Sequence, residues 1–298
     1  ELARALDLLV LVADQLRQIW PEMAGSQPQA PAMPLAVPAR PAQMCPGCGH
    51  RSAFHAIRQA LAPHDIKVAD IGCHTLGFMP PYNMGELLMC MGASTGIAAG
   101  LSLYNDSRRV VCFLGDSTFF HAGIPGIINA LFNKHKITLI VMENGTTAMT
   151  GHQDHAASGR NFNEATEKVP VRRVLEGLGV KNIFEVDTYQ QAKLTEAVKE
   201  AQATEGFAVV IAKHPCMLKL MREARRKDSF QAKVIDIDQK TCDRRYVCVS
   251  SFACPTFILN HDGSIGVNPD LCIGDGSCLQ TCPSKAITRP TNRESSKE

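Results

Sequence analysis

From Ile66 to His214 the chain repeats one pattern, a short apolar run followed by a longer stretch with helical spacing. The runs are IKVADIG, RRVVCFLGD, KITLIVMEN, NIFEVDT and FAVVIAKH, and the segments between them include 93–104, 122–134 and 189–203. Apolar runs this short are strands, and strands that alternate with helices pair in parallel, because each crossover carries the chain back across a face of the sheet. The pattern predicts an α/β domain on a doubly wound, mainly parallel sheet. Ligands bind beyond the carboxyl ends of such strands, so the residues closing these runs are the ones to inspect.

Length and composition fit one such domain with a small companion: 298 residues, 45% hydrophobic and 20% charged. A formal net charge of +2 and the lack of any long basic run argue against a nucleic-acid partner; Arg222–Lys227 reads as a solvated helix face. No apolar stretch reaches the ~18 residues of a membrane span, and the start carries no leader signature, so no membrane partner and a cytoplasmic location are expected. The first residue is Glu1, already within an amphipathic pattern, which points to a longer parent polypeptide. The expected organisation is a helical remnant of a preceding domain at 1–20, a Pro/Ala-rich linker at 21–43, the main domain at 44–220, a connector at 221–239, a cysteine-rich module at 240–290 and a tail at 291–298.

Twelve cysteines in a chain this long, in a reducing compartment, are metal ligands before they are disulfides. Six fall into two similar halves, Cys242 to Pro255 and Cys272 to Pro283, each ending in Cys-Pro. A short internal duplication of this kind suggests a small two-cluster, ferredoxin-like α+β module. In such modules the first three ligands of one half join the fourth of the other. One set is then Cys272, Asp275, Cys278 and Cys254; the other is Cys242, Cys248 and Cys282, with Arg245 where a ligand belongs. Asp275 offers a carboxylate able to hold one iron. Arg245 has no lone pair to give, so its site would hold a 3Fe-4S cluster, recruit another ligand or stand empty. A zinc ribbon is the structural alternative, disfavoured by the duplicated halves and their Cys-Pro closures.

Two strand ends carry oxygen donors, Asp116 after one run and Asn144 after the next. Each could simply cap a helix or close a turn. Together, Gly115-Asp116 followed by Asn144 resembles the motif of thiamine-diphosphate enzymes, with Ser117 in place of the usual second glycine and Glu143 before the Asn. The resemblance implies a Mg2+ held by Asp116 and Asn144 side chains and the Thr146 backbone oxygen, with Gly92 of the MGAS segment, Gly115 and Ser117 also at the cofactor. Gly92 could equally serve helix–sheet packing.

The remaining motifs, CPGCGHR, DIGCHTLG, MGASTGIAAGL, GDSTFFHAGIPGIINA and NGTTAMTGHQDH, resemble those of 2-oxoacid:ferredoxin oxidoreductases, the indolepyruvate enzymes most of all, from about Cys45 through Pro283. That resemblance implies a thiamine-diphosphate-binding fold, a proximal 4Fe-4S cluster on Cys45, Cys48, Cys73 and Cys216, and oxidative decarboxylation of a 2-oxoacid to acyl-CoA and CO2. Coenzyme A would be co-substrate, and electrons would leave through the clusters to ferredoxin or another acceptor. The implied partners are a pyrimidine-binding domain, in the same longer chain or another subunit, and a gamma/beta-type subunit, in a homo- or hetero-oligomer. Without that pyrimidine-binding domain, this stretch alone is expected to be inactive. Cys112 sits inside a buried run and reads as packing, and Cys90 has no assigned partner. His50, His74 and His121 are the candidate catalytic groups, with His152 and His155 in the same motifs. The substrate is indolepyruvate by resemblance only; pyruvate and branched 2-oxoacids stay open. A non-redox thiamine-dependent decarboxylase or lyase has no use for so many clustered cysteines, and a purely electron-transferring subunit none for Asp116 and Asn144.

Overall fold

The computed structural model describes residues 42–105, 107–226 and 232–290. The expected helix at 1–20, nearly all of the linker and the tail from 291 lie outside them. Five strands form one sheet: β1 (Ile66–Val68), β2 (Val110–Gly115), β3 (Thr138–Glu143), β4 (Asn182–Asp187) and β5 (Ala208–Lys213). All pairings are parallel, in the order β1-β2-β3-β5-β4. The expected doubly wound sheet is therefore present, with helices on both faces. The central strands are buried nearly throughout, which is why their sequences read as unbroken apolar runs; of the two edge strands, β1 and β4, β4 is the more exposed.

Helices α1 (Gly49–Ala60) and α6 (Gln191–Ala203) cover one face, where Phe54, Ile57, Leu194 and Val198 pack on Val111, Ile140 and Val210. The other face takes α2 (Ser94–Ser102), α4 (Ile124–Phe132) and α5 (Val171–Gly177), with Ala98, Ile127 and Leu175 against Cys112, Leu139 and Val209. Between β2 and α4 the chain runs through a single α-turn, α3 (Asp116–Thr118), and a π-turn (Phe119–Gly123). A Cβ on Gly123 would come within 2.4 Å of Leu114, so glycine lets this wide turn lie on the sheet.

Register brings the site together. Gly115 pairs with Met142 and Glu143 with Lys213, so Asp116, Asn144 and the His214–Cys216 segment leave the sheet side by side. Helix α7 (Met217–Ala224) follows.

The cysteine-rich module consists of two antiparallel pairs, β6 (Asp236–Ile237) with β9 (Ile287–Thr288) and β7 (Phe257–Leu259) with β8 (Ile265–Val267). Each half contributes one short helical turn, α8 (Val247–Ser250) and a 3-10 turn (Ser277–Thr281). Its core centres on Ile235, Phe252, Phe257, Ile265 and Ile287, interleaved with cysteines. From Ala42 onward the chain forms one compact unit, so the module docks on the α/β domain and is not a separate body. Tyr82 donates to Phe252 O at 2.7 Å and Gln191 Nε2 to Ser277 O at 3.1 Å across that junction. No described helix is long and apolar enough to cross a membrane.

Candidate functional site

Asp116 is 2% exposed and organises the strand ends around it. Its Oδ1 accepts the Ser117 N–H at 2.8 Å, and its Oδ2 accepts those of Asn144 at 2.9 Å and Gly145 at 2.6 Å. Asn144 Oδ1 in turn accepts the Thr146 N–H at 3.0 Å, and Thr147 Oγ1 lies 2.8 Å from Ser117 Oγ. The capping and turn roles weighed for Asp116 and Asn144 are thus real, and they aim both side chains at one cavity.

That cavity is lined by His50, His74, Gly115, Asp116, Ser117, Asn144 and Thr146, among others. His74 packs beside Gly115, where an added Cβ would meet its ring at 3.2 Å. Burial holds the His50 imidazole at about 4, against the pull of Asp116, and His74 at about 3. Both are therefore neutral at pH 7, and both ring nitrogens of His50 and Nε2 of His74 have no partner within the described protein. Unpartnered donors and acceptors facing an acidic cavity are what a cofactor or substrate with polar groups would satisfy.

Four placements depart from the sequence reading or add to it. His121 is exposed on the π-turn and lines neither cavity of the site, so it does not join His50 and His74. Gly92 has φ +88°, and a Cβ there would strike Ala122 at 2.4 Å; its N–H, with that of Ser94, is bound by Asp70. The start of α2 is therefore closed by a carboxylate, and the packing role of Gly92 is the one its surroundings explain. Asp70, 0% exposed at the end of the first apolar run, was unread because a single aspartate there carries no motif. His155 Nδ1 accepts the Ala157 N–H at 3.2 Å, which leaves the proton on Nε2, 3.4 Å from Asp116 Oδ2 without hydrogen-bond alignment.

A second cavity adjoins the first and shares His50, Cys73 and Asn144 with it. Cys45, Cys48, Cys73 and Cys216 all line it. They arrive from the loop before α1, the loop after β1 and the loop after β5. Burial, then repulsion from the other thiols, pushes Cys73 up to about 12, and burial raises Cys45, Cys48 and Cys216 as well. Free thiolates are unfavourable in this ring; a bound metal would supply the missing positive charge and displace the protons. Among the described residues no three His, Cys, Asp or Glu side chains converge on a single ion. His214, stacked on Tyr189 with ring centroids 3.6 Å apart, and His152, Nε2 3.5 Å from Cys216 Sγ, complete the rim.

In the small module, Cys278 lies near Asp275, Cys254 and Cys272, and burial together with their charges raises its thiol. Burial pushes Cys248 up to about 11, with Cys242 and Cys282 near enough to add repulsion. In each set the thiols thus lie near enough to one another to feel each other's charge. Cys282 Sγ accepts the Ala286 N–H at 3.2 Å, a bond suited to a thiolate. Asp275 Oδ2 accepts the Ser277 N–H at 2.9 Å and its hydroxyl, which fixes the turn. Arg245 is exposed and paired with Asp243 at 2.6 Å, turned to solvent as a group unable to ligate would be. Cys112 is buried in β2, as packing, and Cys90 is exposed.

Residues 70–212 match the family model described as thiamine pyrophosphate enzyme, C-terminal TPP binding domain, and residues 265–288 match the 4Fe-4S binding domain. Indolepyruvate oxidoreductase subunit IorA of Methanothermobacter thermautotrophicus is 36% identical over 258 residues, covering 84% of this chain and 40% of that protein. The same subunit of Archaeoglobus fulgidus is 37% identical over 253 residues, again covering 84% and 40%. The chain thus spans about two fifths of the length of these curated relatives. A 2-oxoglutarate:ferredoxin oxidoreductase from Magnetococcus marinus, solved with 2-oxoglutarate, coenzyme A and succinyl-CoA bound, shares the fold at TM-score 0.54 and 20% identity, over 63% of this chain and 71% of that one. With its strand-end motif, its cysteine sets and this agreement over most of its length, the chain belongs to the indolepyruvate oxidoreductase family, as the stretch that carries the thiamine-diphosphate-binding and ferredoxin domains.

Proposed function

We propose that this chain is the thiamine and electron-relay portion of a cytoplasmic 2-oxoacid:ferredoxin oxidoreductase acting on indolepyruvate or a related arylpyruvate. The observation that carries this reading is the shared wall of the two cavities: Cys73, His50 and Asn144 face the acidic site and the four-cysteine ring at once. A non-redox decarboxylase gains nothing from a thiol ring opening onto its cofactor.

Thiamine diphosphate, when bound, supplies a carbanion for addition to a ketone and a sink for the electron pair left by departing CO2. Asp116 and Asn144, with the Thr146 carbonyl, would hold Mg2+ and through it the diphosphate. His50 and His74, kept neutral by burial, each present one donor and one acceptor; they can orient the substrate carbonyl and hold a proton without adding charge. Cys45, Cys48, Cys73 and Cys216 would hold the proximal 4Fe-4S cluster, Cys272, Asp275, Cys278 and Cys254 a second, and Cys242, Cys248 and Cys282 a 3Fe-4S or otherwise irregular third. Coenzyme A would accept the acyl group and ferredoxin the electrons. The pyrimidine-binding domain and a gamma/beta-type subunit complete the assembly.

The test is anaerobic purification of the full-length parent, with iron, sulfide and thiamine quantified, followed by a 2-oxoacid panel. Visible iron-sulfur absorbance that bleaches on adding indolepyruvate and coenzyme A is the expected result. A colourless protein that still decarboxylates would overturn the reading.

A further inference from the structure

Arg51 is 1% exposed and stands at the junction between the α/β domain and the small module. Its Nη1 donates to Tyr82 Oη at 2.8 Å, to Phe252 O at 3.2 Å and to Ala253 O; its Nη2 donates to Met44 O and to Cys45 O at 3.4 Å. Its guanidinium carbon lies 5.9 Å from the centre of the Phe252 ring. Every one of these acceptors is neutral, and among the described residues no carboxylate is paired with it. Guanidinium does not shed its proton in proteins, so a full positive charge is buried here. Burying a charge without a counter-charge is costly, and carbonyl dipoles offset only part of that cost.

The position of the carbonyls says where the counter-charge belongs. Met44 and Cys45 open the Cys45–Cys48 ligand loop, and the Arg51 N–H itself bonds Cys48 O at 3.1 Å. Phe252 and Ala253 immediately precede Cys254, the thiol that the module contributes to the Cys272, Asp275 and Cys278 set. Arg51 thus bridges the ligand loops of two sites, and thiolate-bound iron-sulfur clusters are anionic.

On the functional reading above, we propose that Arg51 is a positioning residue that acts as the shared counter-ion of the proximal cluster and the Cys254-containing cluster. It holds their two loops at a fixed separation and raises both reduction potentials. A fixed cation favours the more negative, reduced form of whatever lies beside it. Charge and bridging are separable functions of the side chain: lysine keeps the first and loses the forked second, and glutamine keeps some donors without the charge.

The experiment is an EPR-monitored redox titration of the full-length holoprotein and its Arg51→Gln and Arg51→Lys variants, with iron and sulfide quantified in each. For Arg51→Gln the reduced-to-oxidised ratio of both clusters at a given poise should fall about tenfold, a midpoint lower by about 59 mV for one electron. Arg51→Lys should stay within about threefold of the parent by keeping the charge. Arg51→Met is the second neutral variant should Arg51→Gln not accumulate. Neutral variants with both clusters assembled and unmoved midpoints would overturn the proposal, and so would a tenfold shift in Arg51→Lys. A wild type that holds no cluster iron would instead remove the functional reading itself.

Discussion

Asp116 receives three backbone N–H groups from two separate strand ends, so it is a structural hub and a metal-ligand candidate at once. Asp116→Ala leaves those donors buried without acceptors, at about 1–3 kcal/mol each. It should lower the melting temperature as well as weaken thiamine diphosphate binding. Asp116→Asn keeps an acceptor and removes the charge; calorimetry in magnesium should show affinity about 10–100-fold lower with a much smaller loss of stability. Equal affinities in the parent and Asp116→Asn would remove Asp116 from the cation site. Asp275 divides its carboxylate differently. One oxygen is committed to Ser277; on the proposed reading the other would hold iron, more weakly than a thiolate does. Mild oxidation should therefore release iron from that corner in the parent, giving a three-iron EPR signal, and leave Asp275→Cys a four-iron cluster. Identical spectra in the two proteins would mean that Asp275 shapes the turn and nothing more.

Helix α1 joins two environments. Its inner side packs Phe54 and Ile57 into the sheet, and its other side meets the small module through Arg51 and through His55, whose ring is edge-on to Phe252 with centroids 5.6 Å apart. Burial, with a smaller push from Arg58, lowers His55 from an ordinary 6.5 to about 4. Above pH 6.5 both folded and unfolded chains carry it neutral, and it has no pH effect. Between 6.5 and about 4 the unfolded chain takes up a proton that the folded one refuses, so stability falls as pH falls through that window. Denaturant midpoints measured across it should drop in the parent and drop less in His55→Gln; parallel curves would show that His55 is not the group responsible.

The whole molecule from Ala42 onward is a parallel α/β domain with a cysteine-rich module seated on it, and Phe252, 1% exposed, is the apolar centre of that junction. Phe252→Ala should cost about 3–5 kcal/mol, and hydrogen exchange should then find the module opening before the sheet. Uniform loss of protection would mean that the two parts share one cooperative core. The strands of a parallel sheet covered on both faces were legible in the apolar runs because β2, β3 and β5 are buried on both faces, where composition is least free to vary; their order across the sheet was not. The duplicated Cys-Pro halves were legible for a related reason: a cluster demands particular atoms at particular intervals. The separation of His121 from His50 and His74 was not legible, because a histidine inside a motif does not reveal which way a π-turn will face it. Asp70 and Arg51 went unread, and the neighbour of His155 with them, because their roles depend on partners far away in the chain, such as Gly92, Ala253 and Asp116, which the sequence does not place beside them. Local periodicity thus determined the class of fold and cysteine spacing the ferredoxin-like module, and the resemblance of the strand-end motif pointed to thiamine diphosphate. Only the packed structure decided which strand ends meet, that the acidic cavity and the thiol ring share a wall, and that a buried cation lies between two cluster loops, because those depend on register and docking, which are long-range.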